Sequence, residues 1–318
     1  MSVLLSPGSS STPLAVTRSF DLRVFDHVFQ TLIAQGGPHP SEYAAVSRVL
    51  RQLGDAVRAG VVAPAAALTY AHTLTQRSFQ GTMQAEALAR KYGYSGDFEI
   101  IDHIYTQKIN PAPHLRAWDL YFHAQSAPSA VRNRKAYFQR LMQAHVAVNS
   151  RSEPLAVLNV ASGPGRDLCE FFQNHPAAAV EVDCVEVDAR AIAYAQDLCS
   201  RWTDRIRFHH RNVLRFVPGH AYDLVWSAGL FDYLNERLFV HLLKALIAVV
   251  RKGGEVVIGN FSDYNPSRDY MELMGNWHLQ HRSRETLIRL ATEAGAPLDS
   301  VQVLWEPEGV NFFLHIQR

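Results

Sequence analysis

Little in this chain points to crosslinks, metals or membranes. Its 318 residues hold three cysteines, Cys169, Cys184 and Cys199, and none forms a Cys-x-x-Cys pair. An odd number without that spacing argues against a disulfide scaffold and fits a reduced, cytoplasmic protein, with Cys184 an inert thiol in a strand-like run. An excess of charge is also missing, since 31 basic residues against 30 acidic ones leave a formal +1. Without a basic face, a nucleic-acid partner is disfavoured. The fifteen histidines are scattered and show no His-Glu-x-x-His spacing, so no metal site is expected. No apolar run approaches the ~18 residues that span a bilayer. Residues 1–16 lack both the basic start and the long apolar stretch of a signal peptide. Repeats are absent, and the one biased tract is a Ser/Pro-rich stretch at 1–14, read as a disordered lead-in.

What remains is an ordinary globular composition, 47% hydrophobic and 19% charged, long enough for one large or two modest domains. Residues 15–150 read as helical. In DLRVFDHVFQTLIAQ, Leu22, Val24, Phe25, Val28, Phe29 and Leu32 share or border one helical face. SEYAAVSRVLRQLGDAVRAG opens with a partial capping box at Ser41. The stretch from Ala66 to Gly93 reads as one or two helices, and residues 128–150 as a long basic helix. From 151 onward the pattern changes to an α/β domain. Apolar runs at 155–161, 180–188, 206–212, 222–229 and 254–261 alternate with helical segments, which implies βαβ units and a mostly parallel, Rossmann-like sheet. The last two runs, around 300–307 and 310–318, leave no room for a crossover helix and should form an antiparallel hairpin at one end of that sheet.

VLNVASGPGRD, residues 157–167, runs from a strand into a loop with Gly163 and Gly165 and then into a helix. Free backbone N–H groups at such a junction suit a nucleotide. The second strand ends in Glu186 and Asp188, 21 and 23 residues after Gly165. A carboxylate there can accept from ribose hydroxyls, and the register of the following helix favours Glu186, with Val187 beside it. Both acids could instead simply cap that helix. Asn212 and Val213, after the third strand, are placed to meet an adenine edge and face, or form a plain strand-end turn. After the fourth strand, Ser227, Ala228 and Gly229 leave the sheet where ligands of open α/β folds sit. Phe231 and Tyr233 flank that ligand or pack the next helix. RKGGEVVIG, residues 251–259, reads as a tight turn into the fifth strand.

In this order the pieces resemble the class I S-adenosylmethionine-dependent methyltransferases over roughly 155–318. GYSGDFEIIDHIY, SAGLFDYL, GGEVVIGNF and NWHLQHR look more narrowly like the methyltransferases of extracellular-factor 3-hydroxypalmitic acid methyl ester biosynthesis, from about residue 80 onward. The resemblance implies a fold with a terminal antiparallel hairpin, S-adenosylmethionine as methyl donor, and a small-molecule acceptor methylated on oxygen, either carboxylate or hydroxyl. Two positions depart from the class: Asn159 stands where the first strand usually ends in an acid, and Ala161 where the loop usually has its first glycine. The expected donor site is then Asn159, Ala161, Gly163, Gly165, Glu186, Val187, Asn212, Val213, Ser227 and Gly229.

Methyl transfer needs alignment and dryness. A carboxylate acceptor needs no base, whereas a hydroxyl does, most naturally a histidine, with His209, His210, His278 and His281 near the sheet's carboxyl edge. SDYNPSRDY and NWHLQHR follow the fifth strand, where acceptor pockets form in this class. Tyr264 and His278 are the expected catalytic pair there. Arg268, Trp277 and Arg282 are expected to contact the acceptor, with Arg282 a cation for an anionic one. GYSGDFE is read as part of a lid with Tyr94, Asp97 and Phe98 facing inward, beside Tyr233 on the substrate side. Arg132 and Arg134 could meet the donor's methionine carboxylate or stay solvated. Beyond small-molecule O-methylation, three readings stay open: an RNA or protein methyltransferase, a silent nucleoside-binding partner subunit, and a nicotinamide enzyme. The helical region would serve as lid, homodimer interface or both.

Overall fold

Seven apolar runs become seven strands of one sheet, because each buries its side chains on one or both faces. In the computed structural model, which describes residues 22–318, these are β1 (Leu155–Val160), β2 (Val180–Glu186), β3 (Ile206–His210), β4 (Tyr222–Ser227), β5 (Val250–Phe261), β6 (Val301–Trp305) and β7 (Asn311–Gln317). The expected lead-in at 1–14 lies outside the described residues. The spatial order is β3-β2-β1-β4-β5-β7-β6. The first five strands are parallel, and β7 runs antiparallel between β5 and β6. The expected terminal hairpin is therefore present. The central strand β4, YDLVWS, is buried along its whole length, while the edge strands β3 and β6 are half exposed. That gradient is why the middle runs read as continuously apolar and the outer ones alternate.

Two boundaries differ from the expectation. The run 251–259 is not only a turn: β5 begins at Val250, and Gly253, at φ +81°, lets the strand shift its pairing with β4 between Tyr222 and Leu224. The capping box is not at Ser41. Glu42 accepts from the His39 backbone amide at 2.7 Å, and Pro40, whose ring presets φ, opens a short turn before α2 (Tyr43–Arg58).

The parallel strands carry α8 (Arg166–Asn174), α9 (Ala189–Leu198) and α10 (Glu236–Val249) on their faces, and α12 (Arg284–Glu293) precedes the hairpin. The N-terminal helices are α1 (Leu22–Ala34), α2, α3 (Pro64–Leu74), α4 (Met83–Ala89), α5 (Phe98–Tyr105), α6 (Pro113–His123) and α7 (Ser126–Val148). They share an aromatic core in which Phe25 and Phe29 stack at 4.8 Å and Phe79 meets Trp118 at 4.5 Å. This core is not built from the N-terminal half alone. Helix α11 (Arg268–Gly275), after β5, inserts Tyr270, Met271, Leu273 and Met274 into it and packs on α2, α3 and α4. Helix α7 spans both layers: Ala127, Ala130 and Val131 join this core, while Phe138 and Met142 are buried against the sheet and Tyr137 stacks on Phe313 at 3.7 Å. Together, α7 and α11 hold the helical layer over the carboxyl edge of the sheet.

A buried polar cluster also ties α7 to the hairpin. Glu255 on β5 faces His145 of α7 at 2.9 Å and His315 of β7 at 2.7 Å, and it accepts from Gln317 at 2.6 Å. These partners outweigh burial and pull its carboxyl down to about 2 from the ordinary 4.5. A carboxylate with a depressed folded value stabilises above its unfolded value and loses that contribution as pH falls through the folded one. Glu255→Gln should therefore cost roughly 2 kcal/mol at pH 5. In urea melts, the gap to the natural protein should close as pH falls from about 4.5 toward 2.

Candidate active site

The sheet's strand order reverses between β1 and β4, which leaves a crevice outside their carboxyl ends. A cavity of about 280 Å³ lies there, between the loops after β1, β2 and β4 and the inner faces of α5, α7 and α11.

The β1 loop is its floor. Ala161 takes φ +53°, a conformation that costs a residue with a Cβ roughly 1 kcal/mol and that the expected glycine would adopt freely. Gly163, at φ +57°, turns its amide toward Glu186 Oε2 at 3.1 Å. Gly165 does not line the cavity. A Cβ there would meet Ala195 at 3.1 Å and Cys199 Sγ at 3.5 Å, so this glycine lets α8 and α9 approach each other. Glu186, 8% exposed, lines the cavity with Val187, and its Oε1 accepts from the Val187 and Asp188 amides at 2.8 and 3.0 Å. Asp188 is the N-cap of α9, accepting from Arg190 N at 2.9 Å. Of the two acids, Glu186 alone faces the cavity.

The β4 loop forms a second wall through Ala228, Gly229, Leu230, Asp232 and Tyr233. Ser227 lies beneath it and donates to the Val160 carbonyl at 3.1 Å, so it ties the ends of β1 and β4 together without reaching the cavity. From the helical side come Tyr94, Phe98, Ile101, Ile104 and Tyr105, then Val131 and Arg134 of α7, and Tyr270, Met271 and Trp277. Asp97 is turned away, because as the N-cap of α5 it accepts from the Glu99 and Ile100 amides, both at 3.0 Å. The loop before it closes over the cavity. Tyr94 donates to Asp188 at 3.0 Å, and Tyr233 donates to the Ser95 carbonyl at 3.0 Å while accepting from Trp277 Nε1 at 2.9 Å. Gly96, at φ +68°, fits against them because a Cβ would sit 2.6 Å from the Tyr233 hydroxyl.

Several expected residues lie elsewhere, each for a physical reason. Tyr264 is 63% exposed, and His278 is an exposed partner of Asn276. Neither member of the expected catalytic pair lines the cavity, because α11 turns the chain after β5 into the helical layer. Arg268 pairs with Glu272 one turn along α11 at 2.6 Å. Arg282 is buried but spent: it donates to the Phe231 and Leu234 carbonyls and to Asn260, and it lies 4.7 Å over the Phe239 ring. Asn212 caps the short turn Val213–Arg215 by accepting from Leu214 N at 2.9 Å, and neither it nor Val213 lines the cavity. Arg132 is held by the His123 carbonyl and Ser129. His209 faces Asp183, His210 the Val187 carbonyl, and His281 Asn265 and the Leu279 carbonyl, so no candidate histidine reaches the cavity.

Residues outside the expected set also reach it. Tyr105, Ser162, Asp167 and Asp232 all line the cavity, as does Arg134, whose place had stayed open. Asp167 follows the glycine loop in GPGRD and Asp232 sits inside SAGLFDYL, so an acid beside each motif was the available signal. Burial pushes Asp167 up to about 6 and Asp232 up to about 7. Three buried polar atoms on cavity residues have no hydrogen-bond partner among the described residues: Asn159 Nδ2, Ser162 Oγ and Arg134 Nε. Among the described residues, Arg134 is the only Arg or Lys that lines the cavity, against the carboxyls of Asp167, Glu186 and Asp232. No group of three metal-ligating side chains occurs among the described residues.

Comparison with known proteins bears on this geometry. A family model described as a methyltransferase domain matches residues 157–254. A tRNA1(Val) (adenine(37)-N6)-methyltransferase of Vibrio campbellii is 29% identical over 69 residues, 22% of this chain, and the chain spans 29% of that relative's length. Among solved structures, a possible exported protein of Bordetella parapertussis superposes with a TM-score of 0.60 at 18% identity, covering 82% of this chain and 98% of that one. Magnesium protoporphyrin IX methyltransferase of Synechocystis PCC 6803, with S-adenosylmethionine bound, does so with a TM-score of 0.50 at 11% identity, covering 73% and 97%. At these identities, the structural likenesses speak for the fold.

Proposed function

We propose that this chain, whose residues 157–254 match a methyltransferase domain, is a class I enzyme that transfers the methyl group of S-adenosylmethionine to an oxygen, carboxylate or hydroxyl, of a small-molecule acceptor enclosed beneath the helical layer. The observation that carries this reading is the cavity itself. Buried polar atoms without partners gather on its donor side, and its other walls are apolar.

The donor brings an electrophilic methyl on a sulfonium, and the protein's task is to align the acceptor and exclude water. Glu186 accepts from the donor's ribose, with Val187 against the adenine. Asn159 Nδ2 and Ser162 Oγ, each costly to bury unpaired, gain partners from the same ligand. Arg134 takes the methionine carboxylate through its partnerless Nε. The three carboxyls around the cavity suit a donor of net positive charge. The loop at 93–97, latched through Tyr94 and Tyr233, works as the lid. The acceptor lies against Ile101, Ile104, Phe122, Met271 and Leu279, a surface for an apolar body rather than a polynucleotide. The resemblance of GYSGDFEIIDHIY and NWHLQHR to the fatty-acid methyl ester enzymes agrees with such a wall.

No helix among the described residues is long and apolar enough to cross a membrane. The three cysteines are free and buried, which suits a reducing cytoplasm.

Calorimetry with S-adenosylmethionine, S-adenosylhomocysteine and NADH tests the donor. Heat with the two sulfur nucleosides and none with NADH is expected, and the reverse removes the proposal. Incubation with methyl-labelled donor and cell extract should place the label in an organic-soluble small molecule. Label in RNA or protein would overturn the acceptor class, and binding without any transfer would favour a silent subunit.

A further inference from the structure

Resting on the methyl-transfer reading, we infer that Asp232 is the proton acceptor of the reaction and that the methylated group enters as a neutral hydroxyl, not as a carboxylate.

Position is the first argument. Asp232 lies on the turn Phe231–Tyr233 that follows β4, lines the cavity and is 2% exposed. Its Oδ1 accepts from the Phe261 amide at 2.6 Å, and its Oδ2 makes no hydrogen bond among the described residues. A methyl group on Gly229 would stand 2.7 Å from Arg134 Nη1 and 3.6 Å from Asp232 Oδ2, so the two side chains converge on the glycine where β4 opens into the cavity.

Elimination is the second. Among the described residues, no histidine, lysine or cysteine lines the cavity. Tyr94, Tyr105, Tyr233 and Tyr270 line it, but burial drives their hydroxyls up, away from accepting a proton near neutrality. Glu186 is held by three backbone amides, and Asp167, which like Asp232 accepts one amide on Oδ1, opens α8 beside the glycine loop on the donor side rather than on the β4 wall. Asp232 remains, and burial raises its carboxyl to about 7, where a base is both available and strong enough. The groups facing it are Arg134 from α7, with Tyr105 of α5 against that arginine, Arg282 from the segment before α12, and Tyr233 on its own turn.

Charge is the third. Arg134 is the one Arg or Lys lining the cavity among the described residues, and the donor's own carboxylate claims it. A carboxylate acceptor would enter with no cation of its own and face Asp232 across a poorly solvated space, which like charges disfavour. A neutral hydroxyl meets no such cost. In the step, an oxygen lone pair forms the new C–O bond to the methyl carbon while the S–C bond breaks and leaves its electron pair on sulfur. The hydroxyl proton passes to Asp232. Sulfonium and carboxylate thus become thioether and carboxylic acid, and solvent recovers the proton afterwards.

The test uses the full chain, natural and Asp232→Asn, with donor tritiated in its methyl and extract of the source cells from pH 5 to 10, beside calorimetry with S-adenosylhomocysteine. Asparagine keeps an oxygen for the Phe261 amide. The expected result has four parts. Natural enzyme activity rises to a plateau above about pH 7. The labelled product survives mild alkali, as an ether does. Asp232→Asn binds S-adenosylhomocysteine within about threefold but transfers roughly 100-fold less label at pH 7. The deficit narrows with pH as the acceptor ionises unaided. Label released by alkali as methanol would mark an ester and overturn the inference. So would a variant within about threefold of the natural rate, or a deficit equal at every pH, which marks a structural role. Nucleoside binding with no transfer would overturn it too, whereas no nucleoside binding by the natural chain would remove the methyl-transfer reading itself. Should the variant lose nucleoside binding, the natural enzyme's pH profile and the alkali treatment decide.

Discussion

Glu186→Ala is expected to weaken S-adenosylhomocysteine binding by roughly 100-fold or more, read by calorimetry. The size follows from what the carboxylate already does. It accepts three amides, Gly163 on Oε2 and Val187 and Asp188 on Oε1, and thereby joins the β1 loop to the end of β2. A carboxylate offers about four acceptor sites. With two amides on Oε1 and one on Oε2, the open site is on Oε2, which is where a ribose hydroxyl would bind. Alanine removes that acceptor and leaves three buried-side amides to find water, at about 1–3 kcal/mol for each one that fails. Glu186→Gln keeps one carbonyl oxygen but sets an NH2 against an amide or hydroxyl donor. It should therefore lose roughly tenfold, an intermediate effect. Unchanged affinity in the alanine variant would show that the ribose is held elsewhere.

Gly259→Ala should lower stability by roughly 3 kcal/mol or more and abolish nucleoside binding with it. A Cβ at this position on β5 would lie 2.3 Å from the Ala228 carbonyl oxygen, 3.2 Å from its carbon and 3.3 Å from Asn311 Nδ2. The obstruction is backbone rather than the tip of a flexible side chain, so the β4 loop must move. That loop is the cavity wall, and the same Ala228 carbonyl accepts from Arg134 at 3.2 Å. Gly253→Ala is the control. It carries the strain of φ +81° but meets nothing within 4 Å, so it should cost only about 1 kcal/mol and leave binding intact. Urea and thermal melts of the two variants measure the difference, and equal losses would mean that strain, not the close approach, sets the cost.

Residues whose surroundings are supplied by their own neighbours in sequence were legible in advance. The seven strands were, because burial on one or both faces imposes a pattern on five to twelve consecutive residues. The hairpin was, because EPEG is too short to cross the sheet. Glu186 was legible for a similar reason: it ends a strand beside the glycine loop, and parallel pairing of β1 with β2 aligns those ends. Arg282 shows where this reasoning fails. As a sequence letter it is a free cation, but in the fold the carbonyls of Phe231 and Leu234, about fifty residues earlier, consume it. Tyr264 and His278 fail because the route of the chain after β5 is set by α11 finding an apolar partner among helices some two hundred residues away. As sequence letters Asp97 and Asn212 suggest ligand chemistry, but their short side chains serve the local task of capping helix α5 and the turn Val213–Arg215.

The sequence by itself determined the α/β sheet, its terminal hairpin, the helical region before it and the glycine loop after β1, since each rests on local periodicity, spacing or turn chemistry. Only the tertiary structure decided which charges face the cavity. Asp232 and Arg134 come together at Gly229 because α7 packs against the end of β4, and burial there changes what a carboxyl can do. Desolvation and convergence are properties of the surroundings. They depend on which distant segments arrive, and no single stretch of chain encodes that.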